Sequence, residues 1–155
     1  MTRLAPLAAA RHVELRLTYY ADNAPISVQV SHVALSRLFL AVLDNAIEHT
    51  GDATTVAIDV LVHPQHVEAR VVDSGPGIAA ADIERIFERF ARGPETGRRR
   101  GYGLGLFLAR NIAERGGGSL SVERTSAAGS VFLLQLPRVT QPATSSDRNP
   151  FQPRQ

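Results

Sequence analysis

Three short blocks carry residue types and spacings that suit chemistry. Leu43-Asp44-Asn45-Ala46-Ile47-Glu48-His49-Thr50 combines an amide, two carboxylates and an imidazole. Asp73-Ser74-Gly75-Pro76-Gly77-Ile78 sets a carboxylate before two glycines. Gly101-Tyr102-Gly103-Leu104-Gly105-Leu106 runs straight into a helical pattern. Glycine-rich turns beside regular elements let backbone come close to a ligand. A glycine turn that opens a helix adds free N–H groups and a favourable dipole for phosphate. In this order the three blocks read as a nucleotide site.

Each block also has a plainer reading. On a helix starting at His32, Ala41, Asn45, Glu48 and His49 share one face. The Asn45 amide oxygen can coordinate a hard cation such as Mg²⁺, or be a surface amide. Asp73 follows the apolar Val71-Val72 and can accept from an exocyclic amine such as adenine's; Asp-Ser-Gly is also ordinary turn chemistry. Gly101, Gly103 and Gly105 can cradle phosphates or only loosen a loop. The chain has no lysine, so its 17 basic side chains are all arginine. Arg89, Arg92, Arg98, Arg99 and Arg100 flank the second glycine turn. They suit either a solvated loop or a lid whose arginines meet terminal phosphates, with Arg92 the candidate catalytic cation.

The elements that must position these residues are legible. Val13 to Tyr19 alternates as a strand, and Ile26 to Val30 reads as a second short one. Ser31 caps a helix from His32 to about His49, with Leu35, Leu38, Phe39, Val42, Leu43 and Ala46 as its apolar stripe. Thr54 to Val62 and Val67 to Val72 are strands joined by a turn at His63-Pro64-Gln65-His66. Ala80 to Phe90 reads as a short helix, and Ala91 to Gly103 as loop. Leu104 to Glu114 is a helix ended by Gly116-Gly117-Gly118. Leu120 to Glu123 and Ser130 to Leu136 are strands across a turn at Ala127-Ala128-Gly129. This order predicts an α+β fold, a two-layer sandwich with one mixed sheet covered by three helices.

Composition sets the outer limits. A chain of 155 residues makes one domain with a real core. The absence of cysteine excludes disulfides, thiolate metal sites and cysteine nucleophiles. No apolar run reaches the roughly 18–20 residues of a membrane span. The net charge of +2 gives no reason to expect a nucleic-acid partner. These features predict a cytoplasmic domain without direct membrane contact. Residues 140–155 are rich in Gln, Pro, Ser, Thr and Asn and are expected to be disordered.

The blocks, with Ile86-Phe87-Glu88-Arg89-Phe90 between them, resemble the N, G1, F and G2 boxes of the ATP-binding catalytic domain of sensor histidine kinases. That domain belongs to the GHKL group, the Bergerat fold shared with gyrase, heat-shock chaperone and mismatch-repair ATPases. The resemblance covers about Arg11 to Arg138. The Phe-Glu-Arg-Phe block, Gly118-Ser119-Leu120 and Gly129-Ser130-Val131-Phe132 point to the kinase branch. It implies ATP and Mg²⁺ as cofactors, with Asn45 holding the metal and acting in catalysis. Asp73 would read the adenine amino group, with Gly75, Gly77 and Ile78 shaping that wall and His49 against the base. Gly101, Tyr102, Gly103, Leu104, Gly105 and Leu106 would form the phosphate turn and helix start. Phe87 and Phe90 would anchor the lid, with core packing as their plainer role.

Two positions depart from the family pattern. Glu48 stands where lysine or arginine is usual, and a carboxylate there repels triphosphate unless Mg²⁺ or arginine intervenes. Ala41 stands where Asn, His or Glu is usual; hydrolytic relatives place there the glutamate that activates water. Ala41 cannot do this, which argues against efficient hydrolysis and against an anti-sigma serine kinase. A nucleotide-sensing or weakly active module is the other alternative.

None of the five histidines fits a phosphoacceptor block. The block His12-Val13-Glu14-Leu15-Arg16 is misregistered, lacks the proline and falls on a predicted strand; His32, His63 and His66 lie at a helix start or turn and are expected to be solvated. The acceptor histidine is thus expected on a separate dimerisation domain, with a response regulator receiving the phosphoryl group next. Residues 1–10 read as the end of an interdomain linker, 11–139 as the catalytic domain, and the whole as a monomeric piece of a larger kinase.

Overall fold

Strand alternation becomes one five-stranded mixed sheet, in the order β1-β2-β3-β5-β4. The computed structural model describes residues 8–9, 12–21, 25–89 and 105–139. Strand β1 (Glu14–Tyr20) runs parallel to β2 (Thr55–Val62), with Glu14 opposite Thr55. A parallel pair needs a long crossover, and helix α1 (His32–His49) supplies it. Strand β3 (His66–Val72) returns antiparallel to β2. The hairpin between them closes with the His63 N–H donating to the His66 carbonyl at 2.9 Å. Strand β5 (Gly129–Pro137) pairs antiparallel with both β3 and β4 (Ser119–Ser126). Helix α2 (Gly105–Arg115) packs beside α1 on one face of the sheet.

Local chemistry fixes the helix ends. The Ser31 hydroxyl accepts from the Ala34 N–H at 3.1 Å, satisfying a donor that the helix start leaves open. Helix α2 ends where the Gly118 N–H donates to the Ala113 carbonyl (2.9 Å) and the Gly117 N–H to the Glu114 carbonyl (3.0 Å). That is the paired Schellman pattern expected from the glycine run.

The core lies between the helices and the inner sheet face. Leu38, Val42, Ala46 and Ile47 of α1 and Ala109 and Ala113 of α2 are buried against Val56, Ile58, Val71, Phe132, Leu134 and Leu136. The period-two spacing of Phe132, Leu134 and Leu136 puts all three on this face. Each fully buried large apolar side chain contributes about 1.5–3 kcal/mol, against about 0–1 kcal/mol for an exposed ion pair. The inner face therefore carries most of the stability.

Three expectations change. Ile26–Val30 is not a strand: only Val28 forms a bridge, to Arg138. The chain bends at residues 29–30 to enter α1, which leaves no room for a longer ladder. Ala80–Phe90 is not one α-helix; its described part holds two 3₁₀ turns, Ala80–Asp82 and Arg85–Phe87. Neither has a side-chain cap, and the tighter winding suits such short pieces. Finally, His63 and His66 are not simply solvated. Their rings stack with centroids 4.2 Å apart, and both lie beside Glu68.

The outer sheet face is a polar network. Arg70 grips Glu123 through two bonds, Nε to Oε2 and Nη2 to Oε1, each 2.8 Å. Its Nη1 reaches Glu68 Oε2 at 2.8 Å, and Gln135 Nε2 reaches Glu68 Oε1 at 3.1 Å. The Arg70 guanidinium, opposed by partial burial, pulls the Glu68 carboxyl down from 4.5 to about 2. The folded state thus binds fewer protons than the unfolded one. The stabilisation is complete above about 4.5 and is lost as pH falls toward 2. Glu68→Gln should therefore cost more stability at pH 7 than at pH 2 in chelator-treated protein. Denaturant melts across that range check this, and a gap independent of pH contradicts it.

Candidate functional site

The Asp73 turn is built by its own carboxylate. Asp73 is buried at the end of β3, and its backbone N–H donates to the Ser130 carbonyl at 3.0 Å. Its Oδ1 accepts from the Gly75 N–H (2.9 Å) and the Ser130 N–H (3.2 Å). One oxygen thereby ties the turn to β5, which leaves Oδ2 as the acceptor available to a ligand. Gly75 lies against the end of α1, where an added Cβ would come within 2.5 Å of the His49 carbonyl oxygen. Gly77 has φ +84°, and a Cβ there would overlap the Ser126 carbonyl.

Hydroxyls lock the same turn from two sides. The Ser74 N–H donates to Thr50 Oγ1 at 3.1 Å, immediately past α1. Thr50 Oγ1 lies 3.1 Å from Thr54 Oγ1, which donates to the Gly51 carbonyl at 2.6 Å. The single Thr54 proton is thereby used, so Thr50 is the donor to Thr54. On the other side the Ile78 N–H donates to Thr125 Oγ1 at 2.8 Å, and Thr125 contacts Ser130 Oγ at 2.9 Å.

These elements enclose a cavity of about 240 Å³ between α1, the Asp73 turn and the start of α2. Asn45, His49, Asp73, Gly75, Gly77, Ile78 and Leu106 all line it, as the sequence blocks anticipate. Ser130 and Phe132 of β5 and Asp82, Arg85 and Ile86 of the 3₁₀ segment complete the wall. The wall mixes apolar surface with a few converging polar groups, as small-molecule sites do. The Asn45 amide makes no hydrogen bond to another described residue, so its oxygen suits a hard cation. Glu48 shares the helix but does not line the cavity. Gly105 begins α2 and lies over Ala41, with 3.6 Å between an added Cβ and the Ala41 Cβ. Phe90, Arg92, Gly101, Tyr102, Gly103 and Leu104 lie outside the described residues.

Phe87 is buried, in keeping with its core role, and meets Phe132 edge to face at 6.2 Å. The Arg110 guanidinium covers the Phe87 ring at 3.8 Å. Arg110 also donates to the Leu120 carbonyl (3.1 Å) and to Glu84 (2.9 Å), holding the Glu84 carboxyl below its ordinary value. One side chain thus joins α2, β4 and the 3₁₀ segment.

Sequence reasoning missed Thr50, Thr125 and Arg110, and used Ser130 only as part of a hairpin block. Thr50 had a weak signal, a hydroxyl directly after a helix; the others depend on tertiary contacts. Thr50→Val should destabilise the chain by about 0.5–1.5 kcal/mol, because the Ser74 N–H loses its part-buried acceptor. Thr50→Ser should recover most of that loss. Chemical denaturation of both variants checks the pair, and equal stabilities overturn the role.

The profile of the family described as histidine kinase-, DNA gyrase B-, and HSP90-like ATPase matches residues 30–140. The swarming motility regulation sensor protein RssA of Serratia marcescens is 33% identical over 147 residues, 94% of this chain and 30% of its own. The sensor protein KdpD of Escherichia coli (strain K12) is 30% identical over 115 residues, 74% of this chain and 13% of its own. The chain therefore spans a third or less of these relatives' length. Among solved structures, the mycobacterial sensor histidine kinase MprB matches with TM-score 0.71 and 28% identity, over 89% of this chain and 91% of that one. The nucleotide-free catalytic domain of histidine kinase ThkA matches with TM-score 0.72 and 26% identity, over 88% and 86%. Full-length ShkA in complex with AMPPNP matches with TM-score 0.76 and 25% identity, over 90% of this chain and 28% of that one. The chain belongs to the histidine kinase-, DNA gyrase B- and HSP90-like ATPase family, in the branch formed by the ATP-binding catalytic domains of sensor histidine kinases.

Proposed function

We propose that this chain binds ATP with Mg²⁺ and presents the γ-phosphate to a histidine on a separate dimerisation domain. The acceptor nitrogen attacks the γ-phosphorus, the bond to the β-phosphate oxygen breaks, and ADP leaves. The phosphohistidine then supplies an aspartate on a response regulator. The observation that carries this reading is Asp73, buried, with Oδ1 committed to two amides and Oδ2 free to meet a donor in the cavity. An exocyclic amine is such a donor, and Ile78 and Phe132 offer apolar surface to a flat ring.

Asn45 would hold Mg²⁺ through its amide oxygen. The ion, when bound, neutralises charge on the β- and γ-phosphates. His49 would lie against the base. Leu106 and Gly105 would set the helix start behind the phosphates, with Gly101 to Leu104 completing that turn. Arg92 would meet the γ-phosphate from the lid. Catalysis then rests on positioning and charge neutralisation rather than on a base from this chain. We read the domain as a cytoplasmic monomer with no nucleic-acid partner.

Calorimetric titration of ATP, with and without Mg²⁺, tests the reading. Asp73→Asn keeps an acceptor for the two amides but puts a donor where an acceptor is needed. It should weaken ATP binding by about tenfold or more. Asn45→Ala should weaken the Mg²⁺-dependent part of binding more than the metal-free part. Unchanged affinity in a folded Asp73→Asn variant would overturn the site assignment.

A further inference from the structure

At the far end of β3 from Asp73, the β2–β3 hairpin brings three ligating side chains to one point. His63 and His66 flank the Pro64-Gln65 loop and face each other across the hairpin, so their rings stack at 4.2 Å with planes 15° apart. Glu68 is two residues beyond His66 and shares its sheet face. His63 Nε2 lies 3.4 Å from Glu68 Oε2, and His66 Nε2 lies 3.3 Å from Glu68 Oε1. The three ligand atoms fall within 4.8 Å of one another. His63 Nε2 is shut off from solvent at the atom and has no partner in hydrogen-bond geometry; its contact with Glu68 is at ion-pair range only.

We propose that His63, His66 and Glu68 form a binding site for a late first-row divalent cation of the zinc class. Zinc bonds of about 2.0–2.2 Å at tetrahedral angles set ligand atoms about 3.3–3.5 Å apart. Each imidazole already stands at that spacing from one of the two carboxylate oxygens, His63 from Oε2 and His66 from Oε1, and a turn of the stacked rings toward Glu68 lets them share one ion. The carboxylate is already oriented, by Arg70 on Oε2 (2.8 Å) and Gln135 on Oε1 (3.1 Å), as outer-shell donors orient metal ligands. Arg70 is shared with Glu123, and these three groups together keep one net negative charge. Two imidazoles beside one carboxylate favour Zn²⁺ over Mg²⁺ or Ca²⁺, which require oxygen-rich sites. Both imidazoles would bind as the Nδ1–H tautomer, with Nε2 bare toward the cation. With three protein ligands, the fourth position falls to water.

The test is calorimetric titration of Zn²⁺ into the untagged, chelator-stripped chain in excess Mg²⁺. One Zn²⁺ should bind. His63→Ala and His66→Ala should each weaken it at least about 100-fold, and His32→Ala should leave it unchanged. Histidine side-chain ¹⁵N spectra of the unmutated chain give a second readout independent of variant folding. The Nε2 signals of His63 and His66 should move on adding Zn²⁺, and that of His32 should not. No Zn²⁺ binding, binding indifferent to both substitutions, or shifts confined to His49 would each overturn the proposal. ATP affinity is read separately, so failure here leaves the nucleotide reading intact.

Discussion

A buried carboxylate without partners is one of the costliest things a fold can contain. Asp73 escapes that cost by accepting two backbone amides on one oxygen, from Gly75 in its own turn and from Ser130 on β5. Its backbone pairs with the same Ser130. The arrangement forces the end of β3, the start of β5 and the turn between Ser74 and Ile78 into one geometry. The turn is then held against the end of α1 by Thr50 and against β4 by Thr125. The cavity exists because these five segments are tied to one another.

The site is thus made largely of backbone, with small side chains as spacers. Gly75 admits the His49 carbonyl, and Gly77 admits that of Ser126. Directed hydroxyl bonds, each worth about 0.5–1.5 kcal/mol net, then fix the register. The larger energy comes from behind, where α1 and α2 bury their stripes on Phe132, Leu134 and Leu136. Phe132 belongs to both systems: it is fully buried in the core and also lines the cavity. Arg110, through Phe87, braces its other side.

Helix α1 was legible to the residue because its cap, its stripe and its length agree. The four strands with strong alternation or apolar runs appeared within a few residues of their expected bounds. Ile26–Val30 failed because alternation alone does not supply a partner strand, and Val28 found only Arg138. The segment after Ala80 failed in type because helical spacing over so few residues does not separate α from 3₁₀ winding. At the site, residues in glycine-rich blocks were legible because those blocks announce close backbone approach. Thr125 and Arg110 were not, since a lone threonine in a strand or arginine on a helix says nothing of what it will touch. The stacked pair His63 and His66 looked like turn residues because the relevant fact, hairpin register, lies across the loop rather than along it.

Ala41 shows how one packing constraint bears on chemistry. It lies under Gly105, at the point where α2 begins beside α1. A Cβ added at Gly105 would stand at ordinary contact, 3.6 Å, from the Ala41 Cβ, so the space between the helices takes about one methyl and a longer side chain at position 41 has to turn aside. The resemblance to hydrolytic relatives implies a water-activating glutamate at this position, and alanine has no group to polarise water. Under the proposed function, the absence of a base at position 41 favours a site that holds a phosphoryl group in place over one that spends it on solvent. The destination of that group is then decided by whichever nucleophile is brought to it, which is the property a domain needs if its acceptor lies elsewhere.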